Sequence, residues 1–336
     1  MIKMDYGSDS HKKALEETFM GLLDNVDVRQ KRWRKLRKEL YTRDAEFKTI
    51  LPTDMKKMMV MQFTDLAIIY ERYIALGFNK TTPLHLSLQA LFSYEKTKGS
   101  PFNALRPSFI DFFKEEKNGL KIHTCHYCDM SYINYFKYEN GKRTQFDLDH
   151  VLDKGRCPLV ALSLYNLVPA CPTCNGPHIK GKRVIDVTLA QRQKLSPSSP
   201  LYDFDNKVKI WIRPINGKVH NTCMLKHQED YELEFDTLAD KDYDKEIEFF
   251  FLRQRYNCHK CEALRLADLK AKYSRSKIIE IAKIICGVGK GRQRGLTLTD
   301  YRMINQIQTD IFGSEFNREN HRAFGKLHKD IMDNQL

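Results

Sequence analysis

The chain has 336 residues, of which 42% are hydrophobic, and this composition predicts an ordinary globular protein of about two domains. Its 56 lysines and arginines outnumber its 43 aspartates and glutamates, which gives a formal net charge of +13. Such an excess is typical of proteins that bind a polyanion, provided that the charge is clustered. The N-terminal MIKMDYGSDSHKK lacks an apolar signal core, and no 18-residue apolar run follows, so we expect a cytoplasmic protein without a membrane partner.

The first 120 residues predict a helical region, because apolar residues recur there at helical spacing. One apolar stripe consists of Leu15, Phe19, Leu22 and Leu23, and a second covers residues 59–76. Both stripes have the spacing of helices that bury one face. We therefore predict an all-helical N-terminal region over residues 1–120.

A dense basic run, RQKRWRKLRK, lies within this region at residues 29–38. Its narrow apolar stripe is Trp33, Leu36 and Leu40, and its basic residues are Arg29, Lys31, Arg32, Arg34, Lys35, Arg37 and Lys38. A charge run of this kind is often only a solvated helix face, but its density also favours contact with phosphates. Both interpretations stay open, and the candidate nucleic-acid contacts are Arg32, Arg34, Lys35 and Lys38.

The remaining sequence divides into three further segments. Residues 121–185 contain short aromatic and β-branched pieces that predict a small metal-stapled unit. Residues 186–243 predict a β-rich insertion, because VKIWIRP and YELEF read as strands and Asn216-Gly217 is a hairpin signal. The sequence as a whole is thus predicted to be α+β, with a stapled β unit between helical regions.

Residues 244–336 return to a helical pattern that includes KIIEIAKII and a helix capped near Thr299 or Asp300. Between them, GVGKGRQRG carries Lys290, Arg292 and Arg294. This loop lacks the spacing of a nucleotide-binding P-loop, so we interpret it as a basic loop that contacts phosphate.

Nine cysteines in a cytoplasmic chain favour thiolate ligation over disulfides. Two CxxC pairs, Cys125/Cys128 and Cys171/Cys174, can together supply the four thiolates of a structural zinc site. A third pair, Cys258/Cys261, has no second pair nearby and is interpreted as partly buried free thiols in preference to a second zinc site. Because a four-cysteine zinc site has no open coordination position, it can support a scaffold but performs no chemistry.

The stretch between the two predicted zinc-binding pairs contains QFDLDHVLDK, in which acidic residues precede a histidine. Asp149 can offer a carboxylate and Asn175 an amide oxygen to a divalent cation such as Mg²⁺, which prefers oxygen ligands. His150 would then be free to act as a base. Asp147 lies on the same strand face as Asp149, where it either supports the metal site or is solvated.

FDLDHVLDK, YNLVPACPTCN and Lys180-Gly181 together resemble the HNH endonucleases of the ββα-metal superfamily. The resemblance implies that His150 activates a water and that Asp149 and Asn175 bind one Mg²⁺ or Mn²⁺. It also implies that Asn166 orients the histidine or stabilises its loop. The family name has histidine where this chain has Asn175, so His178 stays open as an alternative ligand.

The same resemblance implies that Lys180, just inside the helix that Asn175 opens, contacts the scissile phosphate. Lys182 and Arg183 follow it as further candidate nucleic-acid contacts. The predicted function is a metal-dependent DNA endonuclease, with RNA left open as a substrate. The alternative is a zinc-stabilised nucleic-acid-binding module that does not cut. A third hypothesis, by family analogy alone, is a nuclease subunit of a prokaryotic defence system with an ATPase partner. One HNH site cuts one strand at a time, so double-strand cleavage would require a homodimer or sequential nicks, and both stay open.

Overall fold

The computed structural model describes residues 1–96, 100–139, 141–215, 224–286, 296–312 and 323–333. They form many helices and small two-stranded antiparallel sheets, so the α+β class is confirmed. The chain divides into two compact units. The first consists of Met1–Phe204 and Asp242–Phe250, and the second of Asp205–Lys241 and Phe251–Leu336. The four segments predicted above divide the chain at other points, and their boundaries stay a prediction.

The N-terminal part of the first unit is helical, as the apolar periodicity predicted. Its helices are α1 (Asp9–Met20), α2 (Val26–Arg43), α3 (Phe47–Ile50), α4 (Met55–Met59), α5 (Phe63–Ala75), α6 (Pro83–Leu91) and α7 (Arg106–Lys114). The stripe over residues 59–76 is divided between two helices, because α4 ends at Met59 and α5 begins at Phe63. Both helices bury most of their apolar residues, so the pattern continues across the break.

Helix α2 buries the stripe that its sequence predicted. Trp33, Leu36 and Leu40 are buried. The Trp33 indole N–H donates to the Pro52 carbonyl at 3.0 Å, and its ring meets Phe92 edge-on with centroids 5.6 Å apart. This contact packs α2 against Phe92, the residue that directly follows α6.

Two of the seven basic residues of α2 have structural roles. The Arg29 side chain is fully buried, and its guanidinium donates to the Leu91 carbonyl and to the Asp24 carboxylate, the latter at 2.6 Å. Arg37 donates to the carbonyls of Lys48 and Leu51 and so satisfies the end of α3. The interpretation of the whole run as one charged surface is therefore wrong for Arg29. The four candidate contacts, Arg32, Arg34, Lys35 and Lys38, are all exposed.

The first unit continues into short strands. These are β1 (Tyr135–Tyr138), β2 (Gly141–Thr144), β3 (Asp147–His150) and β4 (Leu167–Ala170), followed by α8 (Pro172–Asn175) and α9 (Leu189–Lys194); α11 (Tyr243–Phe249) also belongs to this unit. Strand β1 pairs with β2, and β3 pairs with β4, both antiparallel. Strand β4 is buried along its whole length, which places the β3–β4 hairpin in the core of the unit.

The second unit contains the predicted strand pair and the C-terminal helices. Its strands are β5 (Lys209–Pro214) and β6 (Tyr231–Asp236), and its helices are α12 (Leu252–Asn257), α13 (Lys260–Lys272), α14 (Arg275–Ile285), α15 (Leu298–Phe312) and α16 (Gly325–Asp333); α10 (Phe204–Lys207) precedes β5. Strands β5 and β6 pair antiparallel, which confirms both strand predictions. The Asn216-Gly217 turn lies outside the described residues.

Helix α15 starts earlier than its sequence suggested. It begins at Leu298, and Asp300 is its third residue, whose carboxylate accepts the Thr297 N–H at 2.8 Å. The predicted cap near Thr299 or Asp300 is therefore placed too late, because Asp300 stabilises the first turn from inside the helix. Among the described helices, none has both the length and the apolar character that a membrane span requires.

We expect Arg29→Ala to lower the free energy of unfolding by about 2 kcal/mol, because the buried Leu91 carbonyl would lose its donor. Arg32→Ala is the matched control on the same helix, and we expect it to change the free energy by less than about 0.5 kcal/mol, since its side chain is exposed. Urea unfolding followed by circular dichroism measures both. Equal effects of the two substitutions would contradict the structural role of Arg29.

Candidate functional site

The two CxxC pairs of residues 121–185 meet in one buried cluster. The Sγ atoms of Cys125, Cys128, Cys171 and Cys174 all lie within 4.8 Å of one another, and each residue is buried. Cys171 follows β4 directly, and Cys174 lies in the single turn of α8. The predicted ligand set is therefore assembled, and it is positioned to hold a metal ion such as structural zinc.

The backbone around Cys125 has the compact turn that a CxxC ligand pair needs. The Asp129 N–H donates to the Cys125 carbonyl at 2.8 Å, and Asp129 adopts a left-handed φ of 55°. The Thr124 hydroxyl donates to the Asp129 carboxylate at 2.8 Å and holds this turn closed. On the other side, the Cys171 N–H donates to the Cys125 sulfur at 3.2 Å. Sulfur atoms that accept backbone N–H groups are suited to the thiolate form.

The electrostatics of the cluster also favour a bound cation. Burial raises the pKa of the Cys125 thiol, whereas hydrogen bonds from the neighbouring thiols, that of Cys125 first, lower the pKa of Cys171. Several buried thiolates repel one another unless a positive ion lies between them. Binding of Zn²⁺ to this cluster would release protons and stabilise the fold at the same time.

The third CxxC pair differs from its prediction. Cys258 and Cys261 are exposed rather than partly buried, and neither belongs to a group of three or more metal-binding side chains in the part of the chain that the structure describes. They lie at the junction of α12 and α13, where a spacing of three residues places both on the solvent side. Cys157, in contrast, is buried.

A cleft of about 510 Å³ opens beside the β3–β4 hairpin. The residues that line it include four that the sequence singled out, namely Asp149, His150, Asn175 and Lys180, together with Asp147. Strand β3 supplies the acidic residues and the histidine, and Asn175 ends α8 just beyond the cysteine cluster. The hairpin and the short helix after it therefore bring side chains that are distant in sequence to one cavity.

Asp149 is buried and hydrogen bonded at both carboxylate oxygens. Lys180 Nζ donates to Oδ1 at 2.8 Å, and the Tyr127 hydroxyl donates to Oδ2 at 2.5 Å. Burial raises the pKa of Asp149, and the Lys180 ammonium opposes this shift. A carboxylate in this setting is stabilised by a nearby cation, which is Lys180 in the structure.

Asp147 and Asn175 form a second polar pair in the cleft. The Asn175 amide donates to the Asp147 carboxylate at 3.2 Å, and both side chains are half-buried. His178, the alternative ligand considered above, is exposed and does not line the cleft. The geometry thus favours Asn175 over His178 as a member of this site.

His150 ends β3 with its imidazole buried. Its Nε2–H donates to the Ala161 carbonyl at 2.9 Å, so the proton is on Nε2 and the lone pair is on Nδ1. Burial, with a smaller contribution from the Lys154 charge, lowers the pKa of His150 to about 3. The imidazole is therefore neutral near pH 7.

Asn166 holds the loop between β3 and β4 in shape. Its buried side-chain amide donates to the carbonyls of Leu152 and Val160, at 3.0 and 2.9 Å, and its oxygen accepts the Leu152 N–H at 2.8 Å. Of the two roles implied by the resemblance, these contacts fit loop stabilisation. A role in the chemistry itself stays a prediction.

Lys180 lies in a turn and not inside a helix. Asn175 is the last residue of α8, so the helix that it was predicted to open ends there. The buried ammonium also donates to the His150 carbonyl at 2.9 Å. Gly181 follows with a φ of 53°, which most side chains disfavour, and both Gly181 and Lys182 line the cleft. A contact of Lys180 with phosphate stays a prediction, since its ammonium is engaged by Asp149.

Other cleft residues were missed by the sequence analysis. Tyr94, Arg106, Lys154 and Arg156 also line the cavity, and Tyr127 contacts Asp149 from within a CxxC pair. The position of Tyr127 between two ligands could have been noticed, but nothing near Tyr94 in the sequence marks it. Of the predicted nucleic-acid contacts, Lys182 lines the cleft and Arg183 is exposed, with its guanidinium 5.1 Å from the centre of the Phe249 ring. Lys290, Arg292 and Arg294 lie outside the described residues.

Comparisons of the chain with protein-family models, with curated proteins and with solved structures give no match. The function is therefore inferred from the residues of the cleft and of the cysteine cluster.

We expect the purified protein to contain about one zinc ion per chain, because one cluster of four thiolates is assembled. Cys128→Ser should lose most of this zinc and unfold at a lower temperature, whereas Cys258→Ser, at an exposed cysteine, should keep both properties. Elemental analysis and thermal unfolding measure the two effects. Zinc that persists in Cys128→Ser, or disappears in Cys258→Ser, would contradict the assignment.

Proposed function

We propose that this protein is a metal-dependent endonuclease of the HNH type that hydrolyses DNA phosphodiester bonds. The observation that carries the proposal is the shared cleft of His150, Asp147, Asp149 and Asn175, built from a hairpin and the short helix after it. A neutral histidine next to several oxygen ligands is the arrangement that activation of water beside a divalent ion requires.

The donors in the cleft fit a hard divalent cation. Asp147, Asp149 and Asn175 offer carboxylate and amide oxygens, which Mg²⁺ and Mn²⁺ prefer over nitrogen or sulfur. Burial raises the pKa of Asp149, so the ionised carboxylate gains from any additional positive charge. Rotation of the Asn175 amide would direct its oxygen towards Asp147. A bound ion would stabilise the negative charge that develops on the phosphate and on the leaving oxygen.

The residues of the chain provide the proton transfer and the binding of the strand. His150 Nδ1 accepts the proton of the attacking water, while the Nε2–H bond to Ala161 keeps the required tautomer. Arg106, Lys154 and Arg156 line the same cleft and offer positive charge to the phosphates on either side. The exposed basic face of α2 extends this attraction to a longer stretch of nucleic acid.

A second candidate is a zinc-stabilised module that binds nucleic acid without cutting it. It is favoured by one observation, that both oxygens of Asp149 already accept hydrogen bonds from Lys180 and Tyr127. Under this candidate, Asp149 has a structural role alone, and its pairing with Lys180 holds the loop after α8 against β3. The two candidates differ in whether His150 is needed for any reaction.

The hypotheses of a homodimer and of an ATPase partner depend on the endonuclease proposal. One site cuts one strand, so cleavage of a duplex requires a homodimer or two successive nicks. Assignment to a defence system with an ATPase partner remains an extension by analogy to other HNH chains. Co-purification with a second chain would support it.

We expect the wild-type protein to nick supercoiled plasmid with Mg²⁺ or Mn²⁺, and His150→Ala to reduce the rate by at least about 100-fold, since the general base is removed. The conversion to open-circle DNA is followed on a gel. Reactions without an added divalent ion are preferable to EDTA, because EDTA would also remove zinc from the cysteine cluster.

His178→Ala is the matched control, because this exposed histidine follows closely in sequence but does not line the cleft. It should cut like the wild type. If His150→Ala and wild type both bind DNA and neither cuts it, the binding module replaces the endonuclease as the better proposal.

The basic face of α2 gives a separate prediction for binding. Arg34→Ala/Lys35→Ala should weaken DNA binding and reduce the slope of log K against log salt by about 2, because each phosphate contact contributes about 0.9. Lys13→Ala/Lys57→Ala removes the same charge at exposed positions on α1 and α4 and should leave the slope nearly unchanged. Fluorescence anisotropy at several salt concentrations measures both. Equal slopes for the two variants would mean that α2 is only a solvated face.

A further inference from the structure

The His150 imidazole meets an aromatic ring from outside the hairpin. The Tyr94 ring packs perpendicular to it, with the ring centroids 4.5 Å apart and the planes at 88°. Tyr94 comes from the segment between α6 and α7, in the helical N-terminal part of the same unit. The candidate base is therefore enclosed by a part of the chain far from β3 in sequence.

Tyr94 is itself held firmly in place. The residue is 4% exposed, its N–H donates to the Phe92 carbonyl, and its carbonyl accepts the Arg106 N–H, each at 2.9 Å. Its ring also packs against Phe109, with centroids 5.9 Å apart. A second cleft residue, Lys154, places its ammonium 4.1 Å from the centre of the ring. The Tyr94 ring is thus a fixed neighbour of the histidine.

The histidine needs such a contact because its hydrogen bond restrains only one side of the ring. The bond from Nε2 to the Ala161 carbonyl fixes one atom, but the torsion that rotates an imidazole has a broad energy minimum. A tilted ring would weaken the hydrogen bond to the Ala161 carbonyl, which selects the tautomer with the proton on Nε2. An aromatic neighbour that packs perpendicular to the imidazole makes tilted orientations unfavourable by filling the space that they need.

We propose that Tyr94 is a positioning residue for His150, acting through its aromatic ring and not through its hydroxyl. The proposal rests on the endonuclease function in one respect, namely that His150 activates the water. It makes the helical N-terminal region part of the active site, because the β3–β4 hairpin does not itself provide the ring that orients its base. Misplacement of a catalytic group by about 1 Å typically costs about 100-fold in rate, so this contact is expected to matter for turnover.

The test combines ring-¹⁵N histidine NMR with cleavage kinetics on the 336-residue chain, expressed with added Zn²⁺. The two imidazole nitrogens report the tautomer directly, and the His150 signals are assigned by their loss in His150→Ala. We expect the wild type to show a single tautomer with the proton on Nε2. Tyr94→Ala should show nitrogen shifts averaged between tautomers and a kcat about 100-fold lower at nearly unchanged KM.

Two variants separate positioning from a general loss of stability. Tyr94→Phe keeps the ring and should retain both the wild-type nitrogen shifts and the wild-type kcat. Phe112→Ala removes a buried ring of similar size that packs against Phe19, and it should keep the His150 tautomer. If Tyr94→Ala fails to fold by circular dichroism, Tyr94→Leu fills most of the space without an aromatic ring and should give the same averaged shifts.

An unchanged single tautomer in folded Tyr94→Ala or Tyr94→Leu would overturn the proposal, whatever the cleavage rates. Loss of the tautomer in Tyr94→Phe would overturn it as well, since the hydroxyl would then be the essential group. If the wild type cuts no DNA, the endonuclease proposal fails separately, and the nitrogen shifts still decide whether Tyr94 holds the imidazole.

Discussion

The buried cluster of four cysteines is the constraint on which the candidate site depends. It joins the turn at Cys125 to the end of β4 and to α8, and one hydrogen-bond donor to each of the two neighbouring carboxylates comes from its immediate vicinity. Tyr127 lies between two of the cysteines and reaches Asp149, whereas Asn175 follows the last cysteine and reaches Asp147. A single metal ion in the cluster would thus fix the positions of both Tyr127 and Asn175 next to the carboxylates of the cleft.

A second constraint, the ion pair between Lys180 and Asp149, holds the end of β3. Lys180 spans from the turn after α8 to the Asp149 carboxylate and to the His150 carbonyl, and it is buried with both. The free energy of burying two charges is offset only when they are close and hydrogen bonded, as they are here. The Lys180–Asp149 pair is compatible with both functional proposals. In the binding module, Lys180 is the permanent partner of a structural carboxylate. In the endonuclease, Lys180 lies next to a bound divalent ion.

The helical N-terminal region closes the other side of the cleft. Trp33 of α2 packs against Phe92, and Phe92, Tyr94 and Glu95 line the cavity. Arg29 fixes the end of α6 by its bond to the Leu91 carbonyl. Helix α2 therefore combines a buried face that supports the wall of the cleft with an exposed basic face that is available to a polyanion.

The sequence by itself determined the features that depend on short-range patterns. The apolar stripe of Trp33, Leu36 and Leu40, the strand pair β5–β6 and the spacing of the CxxC pairs all follow from local periodicity and ligand geometry. It also placed Asp149, His150 and Asn175 in one predicted site, although the chemistry of that site is a proposal.

Only the tertiary structure decided which side chains are buried and which groups they contact. It buried Arg29, which the sequence grouped with the surface charges, and it exposed Cys258 and Cys261, which the sequence placed partly inside. It ended α8 at Asn175 and directed Lys180 to Asp149. It also brought Tyr94, from the helical N-terminal region, against His150. The physical reason is that burial and pairing arise from long-range packing, which residue type and local spacing do not encode.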